Sequence, residues 1–191
     1  ILEASDEISF SVVTPSKKLT LFAQITRVIK EITGLTPHVE QLMGALAMSE
    51  SRIVDMKTGE GKTLTSLFPI IYFALKYEHI HVVTANDYLA ERDAETNSEI
   101  YKIFGLSTSV NTTNSSPQQK HAAYRANIMY TTANALGFDY LDDQMSRDLA
   151  NRYQPHEVRA VLIDEIDAIL IDQSLTPYIQ AVSAGDELKY P

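Results

Sequence analysis

Two short runs hold the residue types that phosphate chemistry requires. One is Met56-Lys57-Thr58-Gly59-Glu60-Gly61-Lys62-Thr63, and the other, far downstream, is Val161-Leu162-Ile163-Asp164-Glu165-Ile166-Asp167. In the first, Gly59 and Gly61 lack a Cβ, so the backbone can turn tightly and bring its N–H groups against phosphate oxygens. Lys62 can reach β- and γ-phosphates, and the Thr63 hydroxyl can ligate Mg²⁺. In the second, Asp164 suits the metal, directly or through water, and Glu165 suits polarising an attacking water. Each run alone has a bland reading: a glycine-rich surface turn, or an acidic helix start stabilised by the helix dipole. Together they are much harder to dismiss, because a phosphate loop needs a second element to hold the metal and activate water. The usual phosphate-loop pattern opens with Gly, and here that position is Met56.

The neighbouring residues supply the elements that would position these side chains. Residues 52–56 are a short run that reads as a strand, and apolar residues at 64, 67, 68, 71, 74 and 75 repeat with helical spacing. The loop thus falls where a strand hands over to a helix, whose partly positive N-terminus faces the phosphates. Val161, Leu162 and Ile163 read as a strand buried on both faces of a parallel sheet. It ends in carboxylates at the sheet edge where open α/β folds bind ligands.

Between these runs, strands at 80–84, 107–110 and 128–131 alternate with helices at 87–104, 118–125 and 134–145. Asn86 or Asp87 caps the first of those helices, and 111–117 is a polar loop. Alternation of this kind predicts βαβ units, a parallel sheet and a three-layer α/β fold. Upstream, residues 19, 22, 25, 29 and 32 form a helical stripe closed by Gly34, and Pro37 opens a second helix reaching residue 48. Gln41 lies on that second helix, just ahead of the loop, and its amide could read an adenine edge; a lone glutamine is more often simply solvated. His79 and His81 flank the 80–84 strand and read as solvated edge residues rather than a metal pair.

Composition narrows the function classes. The chain has 191 residues, a net charge of −9 and 45% hydrophobic residues, an ordinary folded composition of about one domain. That charge disfavours general polyanion binding, so nucleic acid is not the first partner expected. There is no cysteine, hence no disulfide frame or thiolate metal site. No apolar run approaches the roughly 20 residues of a membrane span, and no signal peptide is visible.

At this point the residues resemble a family. The phosphate-loop run through Leu64 is similar to that of SecA, the motor ATPase family of bacterial protein export. So are Val82-Val83-Thr84-Ala85-Asn86-Asp87-Tyr88-Leu89-Ala90-Glu91-Arg92-Asp93-Ala94-Glu95, Gly137-Phe138-Asp139-Tyr140-Leu141, the Asp164-Glu165 run, and Ile169-Leu170-Ile171-Asp172 followed by Thr176-Pro177. The likeness spans residues 35–179. It implies a RecA-like, DEAD-type P-loop domain with a mostly parallel, incomplete sheet. It implies that Gln41 reads adenine with Leu35 and His38 lining the base, and that Thr58, Gly59, Glu60, Gly61, Lys62 and Thr63 hold the nucleotide. Thr63 and Asp164 would hold Mg²⁺, and Lys62 and Glu165 would be catalytic. The sequence departs from the family at Lys57, Asp142 and Leu175, where Arg is usual, at His38, where an aromatic is common, and at Ala133. These departures resemble the accessory SecA type.

The resemblance further implies ATP and Mg²⁺ as cofactors. Its expected partners are a SecYEG-type channel or accessory SecY, unfolded preproteins and an anionic membrane surface, and it allows a homodimer. The implied location is the cytoplasm and the cytoplasmic face of the cell membrane. The expected organisation is a lead-in and helix at 1–34, the first nucleotide-binding domain at 35–180, and the start of a connection to a preprotein-binding domain at 181–191. A start at Ile1 and an end at Pro191 fit a fragment, expected to bind nucleotide weakly and turn it over negligibly. Two rivals share the motifs: a superfamily-two nucleic-acid helicase, and a non-catalytic partner-binding module of the same fold.

Overall fold

A computed structural model describes residues 15–146, 148, 152–154, 158–173, 175, 177 and 178. The expected boundary at 181–191 lies outside the described residues, as do the first fourteen residues of the lead-in. The chain forms α1 (Pro15–Thr33), α2 (Val39–Ser49), α3 (Lys62–Tyr77), β1 (Ile80–Thr84), α4 (Asp87–Ile103), β2 (Thr108–Asn111), α5 (Pro117–Ala123), β3 (Ile128–Thr132), α6 (Ala133–Met145) and β4 (Val161–Ile163), then a π-helical turn at Ala168–Asp172. Among these elements are four strands, all parallel, in the order β2-β3-β1-β4. This is an α/β fold of the RecA-like P-loop type.

Alternation along β1 and β3 divides the interior. Ile80, Val82, Ile128 and Tyr130 join α1, α3 and α4 in the main core. His81 and Met129 face the other way, toward the α5 and α6 side, where Ala123, Tyr124 and Met129 form a smaller cluster. Helix α3 is the hub of the main core. It buries Leu67, Phe68, Ile70, Ile71, Tyr72 and Ala74, and Phe68 packs 5.1 Å from the Phe22 ring of α1. Few faces of α3 are left for solvent, so its N-terminus and the loop before it are held by the core.

Four expectations need correction. Residues 52–57 are not a strand of the sheet, and Ile53 is 81% exposed. With β4, residues 52–56 of this run line a cleft of about 650 Å³, and the run pairs with none of the described strands. Val161 is 49% exposed rather than buried on both faces, because β4 pairs only with β1 and ends the described sheet. His81 is 2% exposed, with its ring 4.6 Å from that of His79, because position 81 lies inside β1 with strands on either side. On α1 the buried stripe runs through Leu21, Phe22, Ile25, Val28 and Ile29, leaving Leu19 at the surface. Gly34 does close α1, at φ +74° with its N–H donating to the Lys30 carbonyl. The polar loop begins after Asn111, which closes β2 and is buried.

The α5 and α6 side is polar where the other is aliphatic. Buried Asp139 lies 2.6 Å from Lys120 Nζ and accepts hydrogen bonds from Asn111 Nδ2 and Tyr124 Oη at 2.6 and 2.9 Å. Burial first, then Asp139, pushes the Tyr124 hydroxyl far up. No helix among the described residues is long and apolar enough to cross a membrane.

Candidate functional site

The phosphate-loop residues are held in place by backbone geometry. Gly59 and Gly61 sit at φ +88° and +80°, a region that side chains with a Cβ adopt at a cost. Gly61 precedes α3, and its carbonyl accepts from both the N–H and the hydroxyl of Thr65. Glu60 reaches back within the loop, its carboxylate accepting from the Lys57 N–H at 2.8 Å. Lys62 and Thr63 are thereby the first two residues of a well-buried helix, where free N–H groups and the dipole favour an anion.

Gln41 is not a solvated helix residue. It is 8% exposed, accepts from the His38 N–H at 2.9 Å and donates to the Glu60 carbonyl at 2.8 Å. It therefore acts as a strut between the start of α2 and the loop, and an amide retains one further donor and one further acceptor position for a base. A Cβ at Gly61 would collide with Gln41 Nε2, so the strut in its present position requires a glycine there. Leu35 and His38 are exposed and lie outside the cleft lining, as do Thr58, Gly59, Glu60 and Gly61.

The second wall comes from β4. The Asp164 N–H donates to the Val83 carbonyl at 2.9 Å, continuing the β1–β4 ladder by one bond. The chain then turns sharply at Glu165, φ +56°, a left-handed conformation that is strained for a residue with a side chain. The π-helical turn follows, with the Ile169 N–H on the Glu165 carbonyl. Strained residues and π-turns concentrate at functional sites.

The two walls share one cleft, lined by Lys62, Thr63, Asp164 and Glu165. Thr63 and Asp164 are hard oxygen donors, a pair that suits Mg²⁺ completed by waters and phosphate oxygens. No group of three or more His, Cys, Asp or Glu residues able to cage a metal occurs among the described residues.

The cleft also contains residues the sequence reading gave no role: Thr84, Asp93, Asn97 and Tyr130. Asp93 and Asn97 are buried on α4, in line with buried Ala90, Ala94 and Tyr101. Two polar residues interrupting an otherwise apolar inward stripe were the available signal. Below them Tyr101 Oη and Tyr130 Oη are 2.7 Å apart, with Asn97 Nδ2 donating to Tyr130 at 3.4 Å. Burial pushes the Tyr130 hydroxyl up to about 12, so it stays protonated. Helix α4 is fixed at its start by the Asn86 cap and by Asp87, which accepts from Thr132 and Thr113 hydroxyls.

Comparison with known proteins agrees with this geometry. The family model described as the SecA DEAD-like domain matches residues 7–190. The crystal structure of a hypothetical ATP-dependent RNA helicase from Sulfolobus tokodaii superposes with a TM-score of 0.60 at 21% identity, covering 80% of this chain and 43% of that one. At that identity the likeness is one of fold, and this chain spans under half the length of that structure.

Proposed function

The chain belongs to the SecA DEAD-like domain family, an ATPase-type, nucleotide-binding motor fold, and we propose that it is the ATP-binding part of a SecA-type translocase. In this reading it couples ATP hydrolysis to export of preproteins through a SecYEG-type or accessory channel. The observation that carries the reading is the meeting of Lys62 and Thr63 with Asp164 and Glu165 in one cleft.

The roles follow from chemistry. Lys62 and the N-terminus of α3 neutralise β- and γ-phosphate oxygens. Gln41, already tied to the loop, meets the adenine edge, with Leu35 and His38 beside the base. Glu165 polarises the water that attacks the γ-phosphorus and takes its proton. Thr63 and Asp164 would hold Mg²⁺, which would supply charge neutralisation to the phosphate oxygens. Unfolded preprotein, the channel and an anionic membrane surface on the cytoplasmic side are the partners this reading implies.

Calorimetry of Mg-ATP binding to this chain and to Lys62→Ala tests the reading. Binding by the parent that disappears in the variant supports it. Binding that persists without Lys62, or salt-sensitive binding to single-stranded RNA in its place, counts against it.

A further inference from the structure

We propose that Arg92, held by the cleft-lining Asp93, recognises the terminal phosphate of a nucleoside triphosphate. The inference rests on the reading of the cleft as an ATP site and assigns a task to the Asn86–Asp93 segment, which carries the family likeness but has no part in the roles above.

Three observations carry it. First, Arg92 and Asp93 are successive residues on α4, yet the guanidinium folds back on its neighbour: Nε and Nη2 lie 2.8 and 2.7 Å from Asp93 Oδ1. Asp93 itself is buried and lines the cleft with Lys62, Thr63 and Asp164, so the ion pair tethers the half-exposed guanidinium to a residue of that wall. Asp93 first, with Asp164 contributing, raises Arg92 further above its ordinary value, in keeping with a cation close to both carboxylates.

Second, the charges are unbalanced. The described lining carries Arg52, Lys62 and Arg159 against Asp55, Asp93, Asp164, Glu165 and Asp167. A triphosphate adds more negative charge, and a guanidinium beside Asp93 on the α4 side adds to the cations that can face it.

Third, the pair is built to exchange. The Arg92 side chain is 48% exposed, and an ion pair at such a surface is weak. Two oxygens of a terminal phosphate, which carries more charge than a carboxylate, can accept two N–H groups of the same fork. Arg92 can therefore turn from Asp93, or bridge from it, to the γ-phosphate. A diphosphate held by the loop lacks the group that Arg92 meets, so the residue discriminates between the two nucleotides.

The test is calorimetry of this chain with Mg²⁺ and either AMP-PNP or ADP, for the parent, Arg92→Ala and Arg92→Lys. The expected result is a loss of about tenfold in AMP-PNP affinity for Arg92→Ala with ADP affinity within about twofold of the parent. Arg92→Lys should recover part of the loss and, by keeping a cation beside the buried Asp93, should melt close to the parent. Equal losses for both nucleotides, or no loss for either, overturn the proposal while leaving the ATP site standing. A parent chain that binds neither nucleotide overturns the ATP-site reading, and this proposal with it.

Discussion

The two walls of the cleft are built by opposite means. The loop wall rests on α3, which is surrounded by core, and is locked by two left-handed glycines and the Gln41 strut. The carboxylate wall hangs from a three-residue strand with one neighbour, and its key residue, Glu165, sits in a strained turn. The loop wall is therefore preformed, whereas the carboxylate wall is held among the described residues by the β1–β4 pairing alone. A motor gains from that division: it can hold nucleotide before its chemistry is assembled.

The sharpest way to break this comparison is to disable one wall at a time. Lys62→Ala should abolish Mg-ATP binding, while Asp164→Asn should weaken it by about tenfold or less, because phosphate contacts come from the loop wall. Equal loss in both variants, read by calorimetry, would refute the division.

Acid should act next most strongly, and on the carboxylate wall. His81 pairs in register with Val161 at the start of β4, and its N–H donates to the Ala160 carbonyl. Burial, then the neighbouring His79, lowers its pKa from 6.5 to about 4. The folded state thus prefers the neutral ring, and the unfolded chain binds more protons between those values. The contribution is complete above pH 6.5 and disappears as pH falls toward 4, a change of about 3 kcal/mol. Urea denaturation across that range should show the loss, and His81→Phe should flatten most of it.

Smaller effects distinguish the two loop glycines. Gly61→Ala combines a positive φ with a collision at Gln41 Nε2, so a loss of about 2–3 kcal/mol is expected. Gly59→Ala meets nothing within 4 Å and should lose only about 1 kcal/mol. Denaturation midpoints that rank them the other way would remove the strut from the argument.

The smallest effect is expected at Glu165. Glu165→Gly relieves left-handed strain but adds freedom to the unfolded chain, so stability should change by no more than about 0.5 kcal/mol. A large loss would mean that the Glu165 side chain has a structural task on this wall.

Much of the frame was legible from residues alone. Strands β1, β2 and β3 follow from short apolar or β-branched runs, α3 from helical periodicity and α4 from its cap at Asn86. The phosphate-loop and Asp164-Glu165 runs were legible because their chemistry needs specific residue types in sequence order. Asp93 and Asn97 were not, since their place in the cleft depends on which face α4 turns toward β1 and β3. His81 was misjudged for a related reason: burial in a strand is decided by its two neighbours, and neither is near it in sequence.

The sequence by itself determined the parallel α/β class, the loop that can wrap a phosphate and the carboxylates that can answer it, because these rest on local backbone freedom, side-chain chemistry and periodicity. Only the tertiary structure decided that residues 52–57 stay outside the ladder, that β4 ends the described sheet, and that Gln41 braces the loop. Each of these depends on distances between segments far apart in the chain, and local propensity carries no information about such distances.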